Sequence, residues 1–136
     1  MYTDVVMDHF VNPRNVGRLE NPDGFASIKS DIHGDQVDMY IRVEDNRLSE
    51  VRILAFGCVA AIASTSITSE IATGLTLEEA EAIAEEDVER ALGGLPEGKL
   101  ECSVLAPKAL RQAIADYRSK ADGPCTTEAG SDQGAG

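Results

Sequence analysis

Apolar positions along the chain change period twice, dividing it into a helical start, a strand-rich middle and a helical second half. Val5, Val6 and Phe10, spaced among Asp4, Asp8 and His9, predict a short amphipathic helix over residues 1–11. Asn12-Pro13 ends it, because a proline ring pushes the preceding residue out of the helical region. From Asn12 to Asp23 the chain is punctuated by Pro and Asn and reads as an irregular loop outside the core. Strand character follows, weakly over Ala26 to Ile32 and strongly over Gln36 to Glu44, where Val37, Met39, Ile41 and Val43 alternate with Asp38, Tyr40 and Arg42. Leu48 to Phe56 reads as a third strand, joined to the second by the polar turn Glu44-Asp45-Asn46-Arg47. A small antiparallel meander of about three strands accounts for this middle.

After Gly57 the pattern is helical. Val59 to Thr73 is a run of Ala, Ile, Ser and Thr with small residues on nearly every side, closed by Gly74 at a C′ position, and predicts an almost wholly buried helix. Thr76-Leu77-Glu78-Glu79 fits a capping box opening a helix to about Ala84, and Glu85 to Leu92 predicts another before Gly93-Gly94. Ser103 is placed to cap a turn, and Pro107 to stand first in a long helix reaching Lys120, with Leu110, Ala113, Ile114 and Tyr117 facing inward. Beyond residue 120 the tail holds no apolar residue larger than Ala or Cys and is expected to be disordered. Strands followed by helices make an α+β fold, with one domain over residues 1–120 and a disordered tail over 121–136.

Length and charge narrow the partners. A chain of 136 residues supports one core and needs no disulfide staples. Its formal net charge of −12 repels phosphate backbones and anionic lipid surfaces, which argues against nucleic-acid and membrane partners. The first residues lack the basic start and apolar run of a signal peptide, and no later run is long enough to span a bilayer, so the cytoplasm is the expected compartment. Cys58, Cys102 and Cys125 are odd in number and far apart, forming neither a secreted disulfide framework nor a compact C-x-x-C zinc knuckle. The acidic residues between Thr76 and Arg90 read as a solvated face.

Two thiols fall at junctions that favour chemistry. Cys58 follows a strand and precedes a helix, and Cys102 stands before the last helix, so each sulfur is expected near unpaired backbone N–H groups and the positive end of a helix dipole. Such positions favour the thiolate as nucleophile and metal ligand. Either cysteine taken alone also reads as a small buried hydrophobe. In His33-Gly34-Asp35 the glycine lets the backbone bend, so that imidazole and carboxylate can converge. A solvated loop histidine is the plainer reading of His33 by itself.

The chain resembles the NifU/IscU-type scaffold proteins of iron-sulfur cluster assembly. The resemblance runs from about Tyr2 to Lys120 and rests on Asp8-His9-Phe10-Val11-Asn12-Pro13-Arg14-Asn15-Val16-Gly17, on Gly34-Asp35, on Phe56-Gly57-Cys58-Val59-Ala60-Ala61-Ile62-Ala63-Ser64-Thr65-Ser66, and on Cys102-Ser103-Val104-Leu105-Ala106 followed by Ala113-Ile114-Ala115-Asp116-Tyr117. It implies a small antiparallel sheet packed on one face by helices. It also implies a scaffold, with no enzymatic turnover of its own, that builds a labile two-iron two-sulfur cluster and passes it to recipient apo-proteins. Cys58 and Cys102 match two of the family's three site cysteines, and Asp35 matches the aspartate associated with easy release. Where the family has its first cysteine this chain has His33, and where many members have a histidine before the last cysteine it has Glu101.

Imidazole can replace thiolate on one iron of a two-iron cluster, as Rieske centres show. One chain offers Cys58, Cys102, His33 and either Asp35 or Glu101 as ligands; a homodimer could instead supply Cys58 and Cys102 twice. The same groups suit a single Zn²⁺, although the insertion carried by the zinc-binding sister group is not apparent. Among partners, the resemblance implies a cysteine desulfurase docking along Asp8 to Gly17, with Cys102 as the persulfide acceptor. Only the ends of Leu95-Pro96-Glu97-Gly98-Lys99 match the motif by which some members are recognised by an Hsp70-type chaperone, so that partner is not predicted. His9 is expected to make a structural hydrogen bond fixing the first helix to the following loop. Cys125 matches nothing in the family site and is read as an exposed thiol of the tail, with replacement of the missing sulfur as the other option. The rival function is an adaptor or sulfur acceptor, zinc-bound or metal-free, that binds a desulfurase and builds no cluster.

Overall fold

Alternation in the middle of the chain produces a meander, and the helices after it close one side. The structure, a computed structural model, describes residues 2–30, 34–94 and 104–122. Their elements are α1 (Asp4–Val11), β1 (Gly24–Lys29), β2 (Gln36–Glu44), β3 (Arg47–Phe56), α2 (Val59–Ala72), α3 (Leu77–Glu81), α4 (Glu85–Ala91) and α5 (Leu105–Asp122). The strands form an antiparallel sheet in the order β1-β2-β3. Met39 stands opposite both Ala26 and Ile53, and this row, with Val37, Ile41 and Val51, is buried. α5 lies against β1 and β2, and α2 lies against β3. The opposite face carries Phe25, Tyr40 and Arg52 in register, the two rings 4.9 Å apart. Helices thus pack on one face, as the resemblance implies.

Local chemistry sets the connections. Asp45 and Asn46 both adopt positive φ (54° and 62°), the conformation of the two-residue hairpin loops that match strand twist. Arg42 faces Glu50 while Val43 faces Leu48, leaving Ser49 as a bulge. The bulge explains why Leu48 and Val51, three apart, are both buried although strict alternation would separate their faces. Gly74 takes φ +93° just after α2, in the C′ role expected of it. α5 begins at Leu105, which makes Pro107 its third residue where the sequence suggested the first; the whole first turn tolerates proline because its N–H groups lack helical partners anyway.

α2 is buried on nearly every side, from Ala60 to Ala72. Several of its hydroxyls bond their own helix: Thr65 Oγ1 donates to the Ala61 carbonyl (2.7 Å) and Thr68 Oγ1 to the Ser64 carbonyl (2.6 Å). The small side chains let α1, α4, α5 and β3 all pack against this helix. α1 is fastened at both ends. The N-cap Thr3 accepts from Val6 N–H and donates to the Leu92 carbonyl, while Ser66 Oγ of α2 lies 2.8 Å from His9 Nδ1 and accepts the Arg14 N–H at 2.8 Å. The loop after α1 is not wholly irregular: Val16 bridges to Ile53 in parallel, with Ile53 N–H donating to Asn15 and Gly17 N–H to Ile53. β1 begins two residues earlier than the pattern suggested and ends at Lys29, before Ser30; residues 31–32 of its expected extension, the Ser103 cap and the tail beyond 122 lie outside the described residues. No helix of the described residues is long and apolar enough to cross a membrane.

Candidate functional site

The sequence places Cys58 between a strand and a helix, and it is the N-cap of α2 in extended conformation (φ −76°, ψ 172°). Its own side chain makes no capping hydrogen bond. The acceptor comes from the neighbouring strand. Gln36 pairs with Phe56, which sets Asp35 beside Gly57, and the hairpin that carries it is closed by Ser30 N–H donating to the Asp35 carbonyl (2.7 Å) and Gly34 N–H to the Ser30 carbonyl (3.0 Å). Asp35 Oδ1 accepts the Cys58 N–H at 3.2 Å, and Oδ2 lies 3.8 Å from Cys58 Sγ. The aspartate is 2% exposed. A buried carboxylate therefore sits against the positive end of α2, where a helix's own capping side chain would ordinarily be.

This spacing suits shared ligation. Sulfur at about 2.3 Å and oxygen at about 2.1 Å on one tetrahedral ion stand roughly 3.6 Å apart. The Sγ to Oδ2 separation of 3.8 Å already approaches that edge. Among the described residues no group of three or more His, Cys, Asp and Glu side chains is arranged to hold a metal ion. Asp35 and Cys58 form a pair, and His33, Glu101, Cys102 and Cys125 lie outside the described residues.

Around the pair the surface is apolar. Cys58 and Tyr2 both pack against the buried Ala60 and Ala61. A groove of about 280 Å³ runs between Phe10, Pro13, Val16, the last residues of β3 and Ile62, reaching Phe56 two residues before Cys58. Sequence reasoning missed this groove, because its walls come from four separate segments. It also missed the use of Gly57, whose only signal was a glycine directly before the cysteine.

His9 makes a structural hydrogen bond, but to Ser66 of α2 and not to the following loop, which Ser66 holds separately through the Arg14 N–H. It is 4% exposed, bonded to Ser66, with Nε2 3.6 Å from Glu70 Oε1. Burial, then the neighbouring Arg14, hold its pKa below the usual imidazole value, against the weaker pull of Glu70 and Asp8. Arg14 in turn bonds Asp8 at 2.7 Å and holds that exposed carboxyl below the ordinary carboxylate range.

Comparison with known proteins gives both sequence relatives and fold neighbours. The chain is 50% identical over 120 residues to iron-sulfur cluster assembly scaffold protein IscU 1 of Archaeoglobus fulgidus, covering 88% of this chain and 78% of that one. It is 42% identical over 123 residues to the iron-sulfur cluster assembly scaffold protein IscU of Escherichia coli strain K12, covering 88% and 95% of the two chains. In fold it is similar to the crystal structure of a nitrogen-fixing NifU-like protein (N-terminal) from Brucella abortus, with a TM-score of 0.73 and 20% identity, covering 87% of this chain and 94% of that one. Residues 1–123 match the model of the NifU-like N-terminal domain, and the chain belongs to that family.

Proposed function

We propose that the protein is an iron-sulfur cluster assembly scaffold that builds a two-iron two-sulfur cluster as cargo and releases it to apo-proteins. The observation that carries the reading is the convergence of Cys58, the N-cap of α2, and Asp35, the residue before β2, at a spacing fit for one ion. Relatives named as such scaffolds support it. Cys102 and His33 complete the proposed ligand set, with Glu101 as the alternative to Asp35. Thiolate holds iron firmly, whereas carboxylate and imidazole suit several metals and exchange more readily, so a site mixing them favours release over storage. Cys102 is proposed as the acceptor of persulfide sulfur: its thiolate attacks the outer sulfur of a desulfurase persulfide, forming a new S–S bond and freeing the desulfurase thiolate. The groove beside Phe56, bounded by the Phe10 to Val16 segment, is a suitable docking surface for that desulfurase.

Anaerobic reconstitution with iron and sulfide, read by absorption and Mössbauer spectra and by metal and sulfide counts, tests the proposal. Two irons and two sulfides per site are expected, with loss of both in Cys58→Ser. One zinc and no sulfide in protein purified without oxygen would favour the adaptor reading. Labelled sulfur on Cys102 without iron uptake would favour a sulfur relay.

A further inference from the structure

Gly57 has φ +149°, and its missing side chain faces the site. A Cβ built there falls on Asp35 Oδ1 and comes within 2.7 Å of its Cγ and 3.0 Å of its Cβ. Real Cβ atoms do not approach so closely, so any side chain at 57 would have to expel the carboxylate. Oδ1 is the atom that accepts the Cys58 N–H, and Oδ2 is the atom nearest Cys58 Sγ. Asp35 is buried and tied at its backbone by Ser30, so it has little room to retreat while keeping both contacts. By contrast, a Cβ at Gly74, also at positive φ, would meet nothing within 4 Å.

We propose that Gly57 is a positioning residue of the metal site: by lacking a Cβ it lets the Asp35 carboxylate divide its oxygens between the Cys58 amide and the Cys58 sulfur. The inference rests on the scaffold reading for its consequence, since the divided carboxylate sets how strongly the site holds a metal. It does not rest on that reading for the contact itself. A groove-lining or surface role for Gly57 would leave metal affinity untouched; a role through Asp35 couples the two residues.

The test compares full-length wild type, Gly57→Ala, Asp35→Gly and the double variant, with cobalt(II) as the probe and thiolate-to-cobalt charge transfer as the readout. Asp35→Gly removes the three atoms nearest the new Cβ. Gly57→Ala should weaken cobalt binding by about 10- to 100-fold, the usual effect of losing a group that orients or supplements a ligand. In the Asp35→Gly background the same substitution should cause little further loss. Equal losses in both backgrounds, or no loss in either, would overturn the proposal. Independently of metal, the downfield amide proton shift of Cys58 should move in Gly57→Ala as it does in Asp35→Gly, and an unmoved resonance would overturn the contact. A wild type showing no thiolate-cobalt band would count against the scaffold reading, while the amide resonance would still decide the role of Gly57. If Gly57→Ala does not fold, a double variant that folds and binds cobalt as Asp35→Gly does supports the proposal, and one that folds but binds cobalt far more weakly than Asp35→Gly refutes it.

Discussion

His9 shows how one side chain can report the docking of a whole helix. Ser66 Oγ accepts the Arg14 N–H and lies 2.8 Å from His9 Nδ1, while Nε2 of the ring stands 3.6 Å from Glu70 Oε1. The groups facing the ring are Asp8 on α1, Arg14 in the loop, and Ser66 and Glu70 on α2, with burial and Arg14 outweighing the two carboxylates. Folded His9 is thus neutral at pH values where the unfolded chain, titrating near 6.5, is already charged. Stability from this residue is complete above that value and falls as pH drops below it. Denaturant midpoints between about pH 7.5 and about pH 5.5 should fall more in wild type than in His9→Gln, and parallel falls would refute the assignment. Asp8, lowered by Arg14, acts in a separate window: its contribution is lost only as pH falls below the carboxylate reference of 3.8. At this scale the position of Cys58 was legible, because a change of period and a glycine mark the junction. Ser66 was not, because nothing in an Ala, Ser and Thr run distinguishes the hydroxyl that meets a partner from those that bond their own helix.

Among elements, α3 follows its local code most closely. Thr76 Oγ1 accepts the Glu79 N–H (3.1 Å) and Glu79 Oε1 accepts the Thr76 N–H (3.0 Å), the reciprocal pair that the sequence predicted. Thr76→Ala should cost about 1 kcal/mol, measured by denaturant unfolding. α2 obeys a different constraint. Its small residues are demanded by four neighbours, so Ala63→Leu, at a position with no exposure, should cost about 1–3 kcal/mol by overpacking, and an unchanged midpoint would show that the helix has room. Two departures from sequence expectation are of one kind. The parallel bridge at Val16 and the bulge at Ser49 are made by backbone groups, and every residue type carries the same N–H and C=O, so neither leaves a side-chain signature.

For the molecule as a whole, α5 closes the inner face of the sheet and ends at Asp122, and its buried residues from Leu105 to Ile114 belong to the same core as β1, β2 and β3. A chain ending at residue 122 should therefore unfold in one transition with a midpoint within a few degrees of the full chain; a broad or early transition would mean that the remaining residues support the core. Periods of two and of about 3.6, prolines, glycines and a capping box act within a few neighbours, so the elements, the inward rows and the strand-to-helix position of Cys58 could be read from the amino-acid order alone. The partners of those positions could not. Asp35 meets Cys58 across 23 residues, and His9 meets Ser66 across 57, only because the register of β2 on β3 and the seating of α1 on α2 bring them together. Register and helix seating minimise the free energy of the whole core at once, and local pattern does not specify which distant pairs that packing joins.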